Sequence, residues 1–248
     1  MRYEVNMSEK ISVAMAAYQG ALYLPVQIDS ILIQLKADDE LVISYDKSSD
    51  DTLRILQEYQ EMDPRVKVFM NTVPGVTGNF NNAVAHCSGD YIYISDQDDK
   101  WTENKVEVVQ RTFRETGADL VIHNGIHTNK DMEPMGIPFS EMYRIGNGVI
   151  KNIVKPRMSG CCMAFTRRMK DIIMPMPEIR GYDQWIALVC ELWGKVEYPQ
   201  DILIHHRLHG NNVTIGTPRP LPVIIRMRTR LMFFLFARWI REAVRRES

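Results

Sequence analysis

Three carboxylates, Asp96, Asp98 and Asp99, stand within four residues directly behind the apolar run 91–95. Like charges this close repel unless a cation joins them. Hard oxygen donors suit Mg²⁺ or Mn²⁺, ions that bind through one or two carboxylates together with the phosphates of a substrate. A diphosphate ligand would complete such a site. The competing reading is an acidic turn capping a helix that begins near Thr102, because Asp stabilises helix starts. The run by itself supports both. Asp46 also follows an apolar run, 40–45, whereas Asp183 precedes one at 185–189 and reads on spacing as a helix N-cap. His205 and His206 alternate along a short strand, so they cannot both face one site.

The elements that must hold these groups alternate in type. Strands are expected at 11–16, 40–45, 66–70, 91–95 and 119–123, with helices at 22–35, 51–61, 79–86 and 102–115 between them. This βαβ rhythm calls for an α/β sheet wound on both faces, because parallel strands need helices covering both sides. Ligands in such sheets sit beyond the carboxyl ends of the strands. Here those ends carry Ala17-Tyr18-Gln19, Asp46-Lys47-Ser48 and Asp96-Gln97-Asp98-Asp99. Glycines and prolines interrupt the rhythm over 124–156, where no strand is assigned. A helix at 181–193, short strands at 196–198 and 202–207, and a long helix from Pro222 to about residue 246 complete the expectation.

Six segments, taken in chain order, resemble family 2 glycosyltransferases, in particular the bacterial rhamnosyltransferase-like branch. They are Val13-Ala14-Met15-Ala16-Ala17-Tyr18-Gln19-Gly20, Ser44-Tyr45-Asp46-Lys47-Ser48-Ser49-Asp50-Asp51-Thr52, Gly78-Asn79-Phe80-Asn81, Asp96-Gln97-Asp98-Asp99-Lys100-Trp101, Gly181-Tyr182-Asp183-Gln184-Trp185 and Arg207-Leu208-His209-Gly210-Asn211-Asn212. Their common order across roughly 10–215 is more specific than any one motif. The resemblance implies the GT-A fold, a Rossmann-like mixed sheet flanked by helices, over residues 8–216. Residues 8–123 would bind a nucleotide sugar and 124–216 the acceptor, with 217–248 a basic amphipathic helical tail.

The same resemblance implies the roles. Ala17 and Tyr18 lie near the base, Asp46 holds the uracil or thymine edge, Asn79 belongs to the nucleotide-sugar contacts, and Asp96 faces the ribose. Asp98 binds Mg²⁺ or Mn²⁺, and Asp99 is a helper or helix cap. Arg207 clamps the diphosphate, and His209 is an added metal ligand. Asp183 is the general base of an inverting hexosyltransferase using a UDP- or dTDP-sugar. The acceptor is a glycan or lipid-linked sugar in cell-surface polysaccharide or glycolipid synthesis. Cys161 and Cys162 fall in a small-residue segment on the acceptor side, and Trp101 and Trp185 are expected as packing residues. Tyr45 and Lys47 depart from the family, which often has Asp and usually Gly there.

With 45% hydrophobic and 25% charged residues, the 248-residue chain has the composition of a soluble globular protein able to bury a substantial core. Its net charge of -1 hides a division: residues 217–248 hold eight Arg and two Glu, a net +6, leaving -7 for the rest. A basic tail on an acidic body points to an anionic partner. A membrane surface is favoured over nucleic acid, since the body is acidic and has no recognition motif. Arg226, Arg230, Arg238, Arg241 and Arg245 are expected on one helix face, opposite Met232, Leu235, Phe236, Trp239 and Ile240. Four cysteines without CxxC spacing, no apolar leader and no membrane-length apolar run imply a cytoplasmic protein, peripheral on the inner face of the membrane.

Two other function classes fit less well. A nucleotidyltransferase would show a glycine-rich loop with a basic residue after the first strand, and Ala16-Ala17-Tyr18-Gln19-Gly20 is not one. A non-catalytic Mg²⁺-binding α/β module would not need residues 181–212.

Overall fold

The computed structural model describes residues 9–209 and 220–247, the last two of these as backbone only. Gly210, Asn211 and Asn212 of the closing motif therefore lie outside the described residues, as does the expected start of the tail at Thr217.

The first half alternates strand and helix: β1 (Ile11–Ala17), α1 (Leu24–Leu32), β2 (Glu40–Tyr45), α2 (Thr52–Met62), β3 (Val66–Met70), α3 (Val76–His86) and β4 (Tyr91–Asp96). Next come a two-residue strand β5 (Lys100–Trp101), α4 (Lys105–Thr116), β6 (Leu120–Ile122), β7 (Asn124–Thr128) and β8 (Pro134–Met135). The second half contains α5 (Phe139–Tyr143), α6 (Val149–Val154), β9 (Met163–Thr166), α7 (Arg167–Ile173), α8 (Tyr182–Trp193), β10 (Val196–Glu197), β11 (Ile202–Arg207) and α9 (Leu221–Glu247).

Seven strands form the main sheet in the order β10-β6-β9-β4-β1-β2-β3. β1 runs parallel to β2 and β4, and β2 to β3, in accord with the expected βαβ units. β9 is antiparallel to both β4 and β6, which makes the sheet mixed. β2 is buried along its whole length and β1 almost so, because helices cover both faces, and this is why their sequences are continuous apolar runs. In register, Ala17 sits opposite Tyr45 and Ala16 opposite Asp96, so the loops after β1, β2 and β4 leave one edge together.

A second sheet, β5-β11-β7-β8, stands against that edge. β11 pairs antiparallel with β5, placing Ile204 opposite Trp101 and His205 opposite Lys100. That pairing brings the end of β11 to the acidic turn after β4. Trp101 and Trp185 are both buried in the core, as expected. The four cysteines are buried and free.

α9 corrects the expected division of faces. Arg238, expected in the outward basic stripe, is 8% exposed and donates to the carbonyls of Ile172, Met174 and Pro175. Leu235 is also turned inward, beside Leu231. A wheel drawn from sequence has no body against which to orient itself, so it cannot separate an apolar side that packs from one that does not.

Candidate active site

The acidic turn does not cap α4. That helix starts after Asn104, with β5 intervening, so the carboxylates are released from the capping role. Asp99 is fully buried; one carboxylate oxygen accepts from the Arg207 backbone N–H at 3.3 Å and lies 2.8 Å from His206 Nδ1, while the other has no partner. Burial alone would lower the His206 imidazole, but the charge of Asp99 and its hydrogen bond push it up to about 12. The neighbouring Asp98 instead meets His209 at the mouth, Oδ2 to Nε2 at 2.8 Å, with both side chains partly exposed. Alternation along β11 thus sends His206 inward and leaves His205 outside, and the chain then brings His209 to Asp98.

Asp96 closes β4 beside them. Burial, followed by the charges of Asp99 and Asp98, pushes its carboxyl up to about 8, and Asp183 adds to the effect. Burial and Asp99 also raise Asp98, against the pull of His209. Asp183 lies in the first turn of α8. The N-cap there is Gly181, in the left-handed region at φ 92°, so Asp183 is not the cap that its spacing suggests. Its Oδ1 accepts from the Gln184 backbone N–H, and burial raises its pKa. Three carboxyls from two elements are thereby kept more basic than usual around one space, an arrangement typical of sites that bind cations or move protons.

The residues expected on the base side are held by a net of hydrogen bonds. Asp46 is 8% exposed and accepts from Asn71 Nδ2 at 2.6 Å and Gly75 N at 2.9 Å. Asn79 is buried in α3 and donates to the Ala17 carbonyl, so its amide supports the loop from behind. Tyr18 is 55% exposed at the edge. Its backbone N–H and C=O both bond the Gln97 side chain, at 2.8 and 2.6 Å, which latches the first loop to the acidic turn. Arg207 packs its guanidinium over the Tyr23 ring at 5.1 Å, and Tyr23 stacks on His209 at 4.6 Å.

Several contributors do not stand out in the sequence. Gln97 reads there only as a spacer between acids, and nothing marks Tyr23. Lys105 is fully buried, donates to the Cys161 carbonyl at 3.0 Å, and has its ammonium pKa brought down to about 8 by burial. Asp99, Cys161 and His206 bring one ligand atom each within 4.8 Å of one another. No single segment carries a signal for these partners, because each pairing joins distant parts of the chain.

The donor set fits a divalent cation at the outer pair. Asp98 supplies a hard oxygen and His209 an imidazole nitrogen, and the pKa of Asp98 and Asp96 is raised first by burial and then by repulsion among the acids, both of which a bound cation would offset. The inner carboxylate, Asp99, already has His206 and a backbone N–H.

The glycosyl transferase family 2 model matches residues 12–172, well over half of the chain. The chain belongs to glycosyl transferase family 2. The match covers the sheet edge with Asp46, Asp96 and Asp98 but stops short of Asp183, Arg207 and His209, and the chain spans less than two thirds of the length of most of the curated relatives it matches. The putative teichuronic acid biosynthesis glycosyltransferase TuaG of Bacillus subtilis (strain 168) is 27% identical over 221 residues, 84% of this chain and 83% of that one. The chondroitin synthase of Escherichia coli is 31% identical over 212 residues, 83% of this chain, which spans only 30% of that synthase. In three dimensions the family 2 chain superposes on S. aureus TarS 1-349, solved in complex with UDP-GlcNAc, with a TM-score of 0.70 at 19% identity, covering 90% of this chain and 66% of that one. The GT-A fold is thus established.

Proposed function

We propose that this family 2 enzyme is an inverting, metal-dependent transferase that moves a sugar from UDP or dTDP to a hydroxyl of a glycan or lipid-linked sugar. The observation that carries the reading is the gathering of Asp96, Asp98 and His209 at the carboxyl edge of the sheet, with the basic carboxyl of Asp183 facing them from α8.

In this reading Ala17, Tyr18 and Asp46 receive the base, with Asn71 and Gly75 fixing the Asp46 carboxylate, and Asn79 holds the Ala17 loop in place. Asp96 faces the ribose, and Arg207 reaches the diphosphate. Asp98 and His209 hold Mg²⁺ or Mn²⁺, which when bound neutralises the departing diphosphate. Asp183 takes the proton of the acceptor hydroxyl while that oxygen bonds the anomeric carbon and the bond to the diphosphate breaks on the opposite face, inverting the centre. A raised carboxyl pKa suits a general base working near neutrality.

Residues 8–123 form the donor half and 124–216 the acceptor half. The likeness to TuaG, named for teichuronic acid biosynthesis, supports a role in cell-surface polysaccharide synthesis. The turn Asp96-Gln97-Asp98-Asp99-Lys100-Trp101 supports the rhamnosyltransferase-like branch. Among the described residues no helix is long and apolar enough to cross a membrane, and the basic tail supports work at the inner membrane surface through peripheral contact.

Incubation with UDP-, dTDP- and GDP-sugars, in Mn²⁺ or EDTA, tests this through release of nucleoside diphosphate. Release should require the metal and vanish in Asp98→Ala. Asp183→Asn should lower transfer by roughly 10²- to 10⁴-fold while donor binding is kept. Release indifferent to EDTA and to Asp98→Ala would end the metal reading.

A further inference from the structure

α9 has three sides. Its inner side is Leu231, Leu235 and Arg238, with Arg228 donating to Gln184 Oε1 at 2.5 Å, so the helix is clamped to α7 and to the start of α8. At 3.6 residues per turn the exposed apolar residues between Met232 and Val244 fall outside this contact, in a continuous sector of roughly 140°, while Phe234 lies on the arginine side beneath Arg230. Met232, Phe233, Phe236, Trp239, Ile240 and Val244 line it, each between 45% and 65% exposed. Arg226, Arg230, Arg241 and Arg245 form the third side, all on one flank of that sector and all exposed, while Glu242 is turned inward at 8%.

We infer that this outer apolar sector of α9 seats the enzyme on a bilayer rich in anionic lipid, with the arginine flank lying among the headgroups. The inference deepens the peripheral contact proposed above and rests on it. An apolar face this large and aromatic is unusual on a surface that meets only water. Aromatic residues beside a row of cations are what a helix lying in the membrane interface presents, its apolar side at the acyl boundary and its arginines near phosphates. Charge selects the occupant. The exposed flank carries four arginines against one acid among the described side chains, the inward-turned Glu242 that lies 3.6 Å from Arg245, and this net positive row complements anionic lipid. A second copy of the same face, packed antiparallel, would instead set arginine row against arginine row. The clamp on Gln184, next in sequence to Asp183, would hold the acceptor side of the site at a fixed position relative to the membrane, where a lipid-linked sugar is presented.

The test uses the full chain with phosphatidylcholine vesicles, with and without phosphatidylglycerol, followed by sedimentation and by tryptophan emission with brominated acyl chains as quencher. The chain should pellet with the anionic vesicles, and Trp239 should shift to the blue and be quenched. Phe236→Ser with Trp239→Ser should weaken binding by about tenfold or more. Arg226→Gln and Arg230→Gln should each weaken it about fivefold and reduce its dependence on anionic lipid. All of these variants should release nucleoside diphosphate in solution at the original rate, so loss of seating is separable from failure of the donor site. A chain that stays in the supernatant with anionic vesicles would overturn the inference. So would a dimer, detected by light scattering, that Phe236→Ser dissociates.

Discussion

Glu40 begins β2 and Asp96 ends β4, so a fully buried and a partly buried carboxylate stand at opposite edges of one sheet. At the starting edge Glu40 is 1% exposed and fully served. It accepts from Ser12 Oγ at 2.6 Å, from Ser88 N at 2.6 Å and Oγ at 2.8 Å, and from Lys67 Nζ at 2.5 Å. Burial alone would raise its pKa, yet the bonds from Lys67, Ser12 and Ser88 bring it down to about 2. At the finishing edge no hydrogen bond among the described residues reaches the Asp96 side chain, and burial with two neighbouring acids pushes it up to about 8. The first arrangement stabilises the fold, and the second leaves electrostatic tension that a ligand can relieve. Binding sites tolerate such locally unfavourable groups while the rest of the structure compensates.

The largest effect should separate the two edges most sharply. Asp98→Asn should lower donor turnover by roughly 10²-fold or more, the scale of losing a site that stabilises developing charge. Its metal-free melting temperature should hold or rise, because one of the repelling charges is gone. A clear fall in melting temperature would mean that the finishing edge is built for stability after all. Asp99 sharpens the contrast from next door. It stands at the functional edge but is fully buried and pairs one carboxylate oxygen with His206, so Asp99→Ala should destabilise the fold by about 3 kcal/mol by leaving the His206 charge uncompensated. Thermal unfolding of both variants side by side checks it.

Part of this contrast is legible in the amino-acid sequence. β2, β3 and β11 match their expected bounds to the residue, and β1 and β4 to within one; β3 and β11 are shorter apolar stretches interrupted by polar residues, whereas β1, β2 and β4 are legible because strands buried on both faces are largely apolar runs. The acids at their ends are legible for the same reason. β9 is the four residues Met163-Ala164-Phe165-Thr166 behind Gly160-Cys161-Cys162, too short to show a period, and β5 exists only because β11, about a hundred residues later, pairs with it. The partners that set each acid apart are likewise hidden. Nothing local distinguishes Asp98, which meets His209, from Asp99, which meets His206.

A middle-sized effect tests the starting edge through pH. Glu40 has its folded pKa depressed from 4.5 to about 2, so its contribution is fully present above pH 4.5 and is lost as pH falls through about 2. Lys67 is 44% exposed, which weakens its share through solvent screening and leaves a contribution on the order of 2 kcal/mol. Glu40→Gln should therefore be destabilised by about that amount at pH 7 and should lose much of the difference from the parent near pH 2, with turnover per folded molecule unchanged. Chemical denaturation at several pH values gives the comparison. An equal gap at every pH would mean that packing around Ser12 and Ser88, not charge, holds this corner.

The smallest effect concerns the latch that joins the finishing edge to the first loop. A Cβ on Gly20 would come within 2.1 Å of Gln97 Oε1, the atom that accepts from Tyr18 N. Gly20→Ala must displace the Gln97 side chain and with it both bonds to Tyr18, which are exposed and together worth about 1 kcal/mol. The base-side loop should loosen, raising the KM for donor several-fold with kcat little changed. Gln97→Ala should do the same, since it removes the same two bonds. If the glycine is there to make room for Gln97, the two substitutions share one cause, and Gly20→Ala should add almost nothing in the Gln97→Ala background. Full additivity would show that Gly20 serves the chain turn itself, and the tie between the first loop and the acidic turn would lose its part in binding the donor.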